Sequence, residues 1–98
     1  MKIEKTLNGD TLTVRPEGRL DTMTAPELEN ELKASLDGVK KLVFDLDALE
    51  YISSAGLRVL LGAQKIIGEA GSMVVRKPSE IVAEVFEVTG FSDILTIE

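Results

Sequence analysis

Residues 42–70 constrain the fold more than any other part of this chain. Leu42-Val43-Phe44-Asp45-Leu46 is an apolar run broken by a single carboxylate. It is soon followed by a segment from Ser54 to Ala70 whose Leu57, Val59, Leu60, Leu61, Ala63, Ile66 and Ile67 cover most of a helical circumference. A short, almost continuous apolar run suits a central strand with one or both faces covered. A helix that is apolar nearly all round must be buried. Within 98 residues both demands are met only when the helix packs on the sheet that holds the strand, which sets the class as α/β.

The flanking sequence supplies the remaining elements. Lys2 to Leu7 reads as a strand, and Asn8-Gly9-Asp10 turns it into a second strand as a hairpin. There Leu12, Val14 and Pro16 alternate with Thr11, Thr13 and Arg15, so one face is wet, and Pro16 is expected to end the pairing or mark an edge. Thr24-Ala25-Pro26-Glu27 reads as a capping box that opens a first helix. In it Leu28, Leu32 and Leu36 stack, Glu29 and Lys33 pair at i,i+4, and Gly38 stops the run. Gly71 is expected to close the second helix and Met73 to Val75 to form a strand. Pro78-Ser79 opens a third helix with Ile81, Val82, Val85 and Phe86 as its core face. Gly90 followed by Phe91 fits a C′ glycine and an apolar residue folding back, and Ile94 to Ile97 reads as a last strand. The predicted order is ββαβαβαβ: a single α/β domain over 1–98, with a mixed sheet, a hairpin edge and helices mainly on one face.

Composition excludes much. Eleven Lys and Arg against seventeen Asp and Glu give −6, and there is no His, Cys or Trp. Without His or Cys there is no Ser-His or Cys-His nucleophilic pair and no ordinary zinc site, so an enzyme, a metal and a cofactor are all unexpected. The basic residues are scattered, which argues against nucleic acid. No apolar run approaches a membrane span and the first ten residues lack a signal-type apolar core, so the expectation is a cytoplasmic chain without direct membrane contact.

Attention therefore falls on Tyr51-Ile52-Ser53-Ser54-Ala55-Gly56-Leu57-Arg58-Val59-Leu60-Leu61, which joins a buried strand to a buried helix. Exposed amides at a helix start favour an anion, and a serine hydroxyl there is accessible. Gly56 bares the backbone where another molecule's main chain could approach. The plainer reading makes one serine an N-cap and the glycine a packing residue.

Three blocks carry a resemblance: Gly18-Arg-Leu-Asp-Thr-Met-Thr-Ala-Pro-Glu-Leu28, Leu42-Val-Phe-Asp-Leu46 and Tyr51 to Leu61. In order and separation they resemble the STAS domain of bacterial anti-sigma-factor antagonists. The resemblance implies a binding protein that docks unphosphorylated on an anti-sigma factor with GHKL-type serine kinase activity and is released by phosphorylation, so regulating sigma-factor-dependent transcription. ATP would belong to that kinase, and a PP2C-type phosphatase would be a second partner. The phosphoacceptor falls on Ser54 by register from Gly56, with Ser53 the second choice, because Ser53 stands where the family usually has Asp. The implied partner surface comprises Asp21, Thr22, Ser53, Ser54, Gly56, Leu57 and Arg58. Asp21 has a plainer reading as a turn acid near a helix start.

Two alternatives remain at the level of sequence. STAS domains also serve as constitutive scaffolding subunits, for instance of lipid transporters, and there the serine turn would be a permanent docking surface. Asp45, Asp47 and Glu50 could instead suggest an aspartyl-phosphate receiver, but neither the early acidic pair nor a lysine after Lys77 is present.

Overall fold

The computed structural model describes residues 1–98. The hairpin forms as expected: β1 (Lys2–Asn8) and β2 (Thr11–Leu20) pair antiparallel, with Gly9 at φ +65° in the turn. There follow α1 (Ala25–Ser35), β3 (Lys41–Asp45), β4 (Leu49–Ile52), α2 (Ser54–Ile67), β5 (Ser72–Arg76) and α3 (Glu80–Val88), then a 3-10 turn at Phe91–Asp93. The sheet runs β1-β2-β3-β5, with β4 paired to the distal part of β2. β2 is parallel to both β3 and β4, and β3 is parallel to β5. The class is therefore α/β with a mixed sheet.

Three details correct the sequence reading, and Gly18 explains one of them. The order is ββαββαβα, because residues 49–52 form β4, a strand of four residues too short to show a period beside the helix start. Pro16 lies within a strand that is paired on both sides elsewhere along its length. It is tolerated because β3 pairing ends at Val14 and β4 pairing begins at Gly18, so no parallel neighbour needs its missing N–H. Gly18, at φ +95°, sits at the register shift where β2 passes from one neighbour to the next. The last strand is reduced to a bridge between Val75 and Ile97, because the turn at Phe91–Asp93 consumes the approach.

The helix ends also differ. α2 closes at Gly68 (φ +64°) rather than Gly71. Gly71 serves close approach instead: a Cβ there would lie 2.5 Å from the Lys40 carbonyl oxygen, the group that accepts the Ser72 amide at the start of the β3–β5 pairing. α3 is capped by the Ser79 hydroxyl, which accepts from the Val82 amide at 3.2 Å. Val82 and Phe86 set its inward line, leaving Ile81 out of the core and 58% exposed. Gly90 takes φ +81° at C′, with Phe91 packed against the core, as expected.

The core follows the strand alternation. Leu12, Val14, Leu42, Phe44, Met73 and Val75 form the inner face of the sheet and meet Leu28 and Leu32 of α1, Leu57 and Leu60 of α2, and Phe86 of α3. The other face carries Thr13, Arg15, Asp45 and Arg76, held by ion pairs such as Arg15 to Glu17 at 3.2 Å.

Candidate functional site

β2, β3, β4 and β5 all run the same way, so their carboxyl ends share one end of the sheet. In α/β folds this end collects function, because loops and helix starts converge on it. Two of its turns hold the residues singled out above.

The serine turn follows β4. Ser53 is extended (φ −100°, ψ 177°). Its amide donates to the Leu20 carbonyl at 2.9 Å, continuing the β2–β4 seam, and its carbonyl accepts the first helical bond from Leu57 at 3.0 Å. Its hydroxyl is enclosed and has no hydrogen-bond partner, so Ser53 occupies the cap position without capping. Ser54 is the first residue of α2 and is exposed. The two serines are thus distinct chemically: one hydroxyl is inside, the other faces solvent. The amides of residues 54–56 find no acceptor within the chain, so the helix start presents free donors beside the Ser54 side chain.

Gly56 and Leu57 require a correction as surface residues. Both are buried, Leu57 to 2% exposure. A Cβ on Gly56 would fall 2.7 Å from Ile52 Cγ1 and 2.8 Å from Leu20 Cγ. The glycine therefore admits the chain's own strands rather than another molecule, and both residues fix the serine turn from beneath.

The second turn, Asp21–Thr24, follows β2. Asp21 Oδ1 accepts from the amides of Met23 (3.0 Å) and Thr24 (3.2 Å). The Thr24 hydroxyl accepts from the Asp21 amide (2.9 Å) and donates to the Arg19 carbonyl (2.7 Å). Thr24 is therefore drawn back into the turn and makes no side-chain cap, and Glu27 pairs with the Met1 amino group at 3.1 Å instead of closing a capping box. The Thr24 amide, above all, holds the Asp21 carboxyl below the usual carboxylate range. The Met23 amide, the Thr24 hydroxyl and the Arg19 charge add to this, and partial desolvation opposes it.

Arg19 and Tyr51 belong to this end as well, and sequence reading missed them. They are register partners on β2 and β4, and the guanidinium lies 4.4 Å from the ring centroid. No signal for the pair existed until β4 was known. Thr22 and Arg58, both exposed, come together with Ala55 along a cleft of about 360 Å³ between α1 and α2, whose other walls include Lys33, Val59 and Ile66. The carboxylates of the receiver alternative are engaged otherwise. Asp45 lies 3.9 Å from Arg76 and Asp47 3.8 Å from Arg15, on the open face of the sheet, and no three acids converge as metal ligands would. No helix is long and apolar enough to cross a membrane.

Comparison with known proteins gives a consistent set of likenesses. The family model described as the STAS domain matches residues 2–98. A Bordetella bronchiseptica protein provisionally named anti-sigma factor antagonist BtrV is 42% identical over 83 residues, which cover 83% of this chain and 72% of that protein. An anti-sigma-B factor antagonist of Staphylococcus aureus is 28% identical over 99% of this chain and 92% of its own. Among solved structures, an anti-sigma factor antagonist from Mycobacterium paratuberculosis superposes with a TM-score of 0.89 at 25% identity, over 98% of this chain and 83% of that one. SpoIIAA in its unphosphorylated form shares the fold with a TM-score of 0.85 at 19% identity, over 99% of this chain and 88% of its own.

Proposed function

This chain belongs to the STAS domain family, and on that premise we propose that it is an anti-sigma-factor antagonist, a cytoplasmic, non-enzymatic binding module switched by phosphorylation of Ser54. The observation that carries the reading is the split between the two serines: Ser54 is exposed at the first position of α2, while the Ser53 hydroxyl is enclosed. The partner is an anti-sigma factor of the GHKL serine-kinase type, which holds the ATP. Its surface covers the turn through Asp21, Thr22, Ser54 and Arg58, with Ser53, Gly56 and Leu57 as support. A PP2C-type phosphatase resets the state. Residues 1–98 act as one domain.

The physical chemistry of the switch is intermolecular. A phosphate on Ser54 brings about −1.5 to −2 charges to a helix N-terminus, where the dipole returns only about 0.3–1 kcal/mol. Free amides and the exposed Arg58 one turn on accommodate it without refolding. Under a docked partner the same charge lies in a desolvated contact, at a cost of roughly 3–5 kcal/mol. At ~1.4 kcal/mol per decade, affinity falls on the order of a hundredfold or more.

The test is binding of the wild type, Ser54→Ala and Ser54→Asp chains to the GHKL-type kinase recovered with the wild type, with phosphosite mapping by mass spectrometry. Ser54→Asp is expected to bind about a hundredfold more weakly with an unchanged far-UV spectrum, while Ser54→Ala keeps binding and loses phosphorylation. Equal affinity of wild type and Ser54→Asp would overturn the switch and leave constitutive scaffolding as the reading.

A further inference from the structure

Charge on the two outer helices is sorted by sign. α2 carries Arg58 and Lys65 and no acid, and α3 carries Glu80, Glu84 and Glu87 and no base. None of these five side chains takes part in an intrachain ion pair, although ten such pairs link other residues. Helix stability does not explain Glu87, because an acid in the last turn opposes the macrodipole.

Each charged set lies next to apolar surface that the fold leaves open. On α3, Ile81 (58% exposed) and Val88 (78%) are seven residues apart on one side of the outward face, with half-buried Val85 between them. The three glutamates line the other side. Between α1 and α2, the cleft has an apolar floor that includes Val59, a wall of exposed Ile66, and Arg58 on its α2 side, while Glu29 and Lys33 on its α1 side pair with each other at 3.3 Å. Its α2 wall runs from Ala55 to Ile66, about 16 Å at 1.5 Å per residue, and α3 at nine residues is about 13 Å long. A ridge and a groove therefore match in length and in apolar content, and the unpaired glutamates of the one have a counterpart in Arg58, the unpaired charge lining the other.

We propose that these faces bind each other between copies of the chain, with α3 of one molecule lying in the α1–α2 cleft of the next. The occupant follows from charge and shape. Two α3 faces paired about a two-fold axis would set glutamate against glutamate, and two clefts would set groove against groove with no ridge to fill either. Head to tail, the α3 glutamates meet Arg58 of the cleft, with Lys65 two turns further along α2. One helix in one groove makes a small interface, so the association is transient and dependent on concentration and salt.

Sedimentation with light scattering tests this on the intact chain. At low ionic strength and protein up to ~1 mM, where small interfaces form, the weight-average mass is expected to rise above the 10.6 kDa of one chain and to fall back in high salt. Two variants, Arg58→Glu with Lys65→Glu and Glu84→Lys with Glu87→Lys, should each stay monomeric. Mixed in equal amounts they should associate again, because each then offers the face that the other lacks. The control Lys40→Glu with Lys41→Glu should behave as wild type, and unchanged far-UV spectra establish that all variants fold. A wild type that remains monomeric throughout, or a mixture that fails to associate, would overturn the proposal.

Discussion

Substituting Gly56 and Gly62 by alanine makes one change twice in one helix, and the two should have opposite signs. Both residues lie within α2 with φ outside the left-handed range, so alanine gains the same backbone preference at each, about 0.5–1 kcal/mol. Space decides the rest. At Gly62 an added Cβ meets nothing within 4 Å, and Gly62→Ala should stabilise by that amount. At Gly56 it falls 2.7 Å from Ile52 Cγ1 and 2.8 and 3.0 Å from two carbons of Leu20. Ile52 and Leu20 are both fully enclosed in the core, so neither can swing away. Overpacking of this kind costs about 1–3 kcal/mol, and three simultaneous contacts below or at 3 Å place Gly56→Ala in the upper part of that range. After the backbone gain, a net loss of about 1–2 kcal/mol remains.

Urea titration followed by far-UV circular dichroism reads both differences, provided the m-values agree. In thermal melts the loss at Gly56 corresponds to roughly 4–16 °C and the gain at Gly62 to roughly 2–8 °C for a domain of this size. A Gly56→Ala chain that melts at or above wild type would refute the assignment of Gly56 to internal packing. It would return the residue to the role first read from sequence, an opening for another molecule's backbone.

Three further outcomes follow from single contacts. Ser53→Ala should leave stability unchanged or raise it by up to about 1 kcal/mol, since an enclosed hydroxyl without a partner is a penalty that alanine removes; a loss of 1 kcal/mol or more in urea would show a hidden cap. Ser79→Ala should lose about 1 kcal/mol, because its hydroxyl satisfies the Val82 amide, and the same titration measures it. Asp21 should titrate below the usual carboxylate range by NMR, since the Thr24 amide favours its charged form. Its folded pKa is depressed, so its contribution is complete above the unfolded value of about 3.9 and is lost as pH falls through the lower folded value. Asp21→Ala should flatten that part of the acid limb, and an unaltered limb would argue against the turn bonds.

The parts legible in the sequence were those that a period or a single residue type dictates. Leu28, Leu32 and Leu36 at helical spacing are all buried, Glu29 and Lys33 pair at 3.3 Å, and the hairpin turns at Gly9. The illegible parts depended on tertiary partners. β4 exists because β2 runs on past Pro16 and offers Gly18 to Leu20 an edge. The Thr24 hydroxyl had two competing uses, and the Arg19 carbonyl and Asp21 amide won it from the helix start. Ile81 fits an apolar face by spacing, but a nine-residue helix resting on Val82 and Phe86 leaves no room for a third line. At the serine turn, the resemblance drew attention to both serines, while only the folded chain separates the exposed Ser54 from the enclosed Ser53 hydroxyl and the buried Gly56 and Leu57.

Where local rules fail, they fail mostly at one end of the molecule. Ser53 occupies a cap position without capping. Gly56 sits in the first turn of a helix, where glycine is unfavourable. Lys77 adopts φ +53° directly before Pro78, a conformation disfavoured both for a residue with a Cβ and for one preceding proline. Ser53 and Gly56 follow β4 and Lys77 follows β5, so all three lie at the carboxyl end of the parallel strands, together with the Asp21 turn. Departures that cost stability persist in proteins when something other than stability holds them, and they gather at functional sites. An enclosed serine beside an exposed one follows that logic. The Ser53 backbone is tied to Leu20 and Leu57 by hydrogen bonds, which leaves its enclosed hydroxyl unsatisfied while Ser54, the next residue, faces solvent at the start of α2. Under the proposed switch, a surface so fixed would lose little entropy on docking, and a charge added at Ser54 would act on the contact itself rather than being absorbed by movement of the turn.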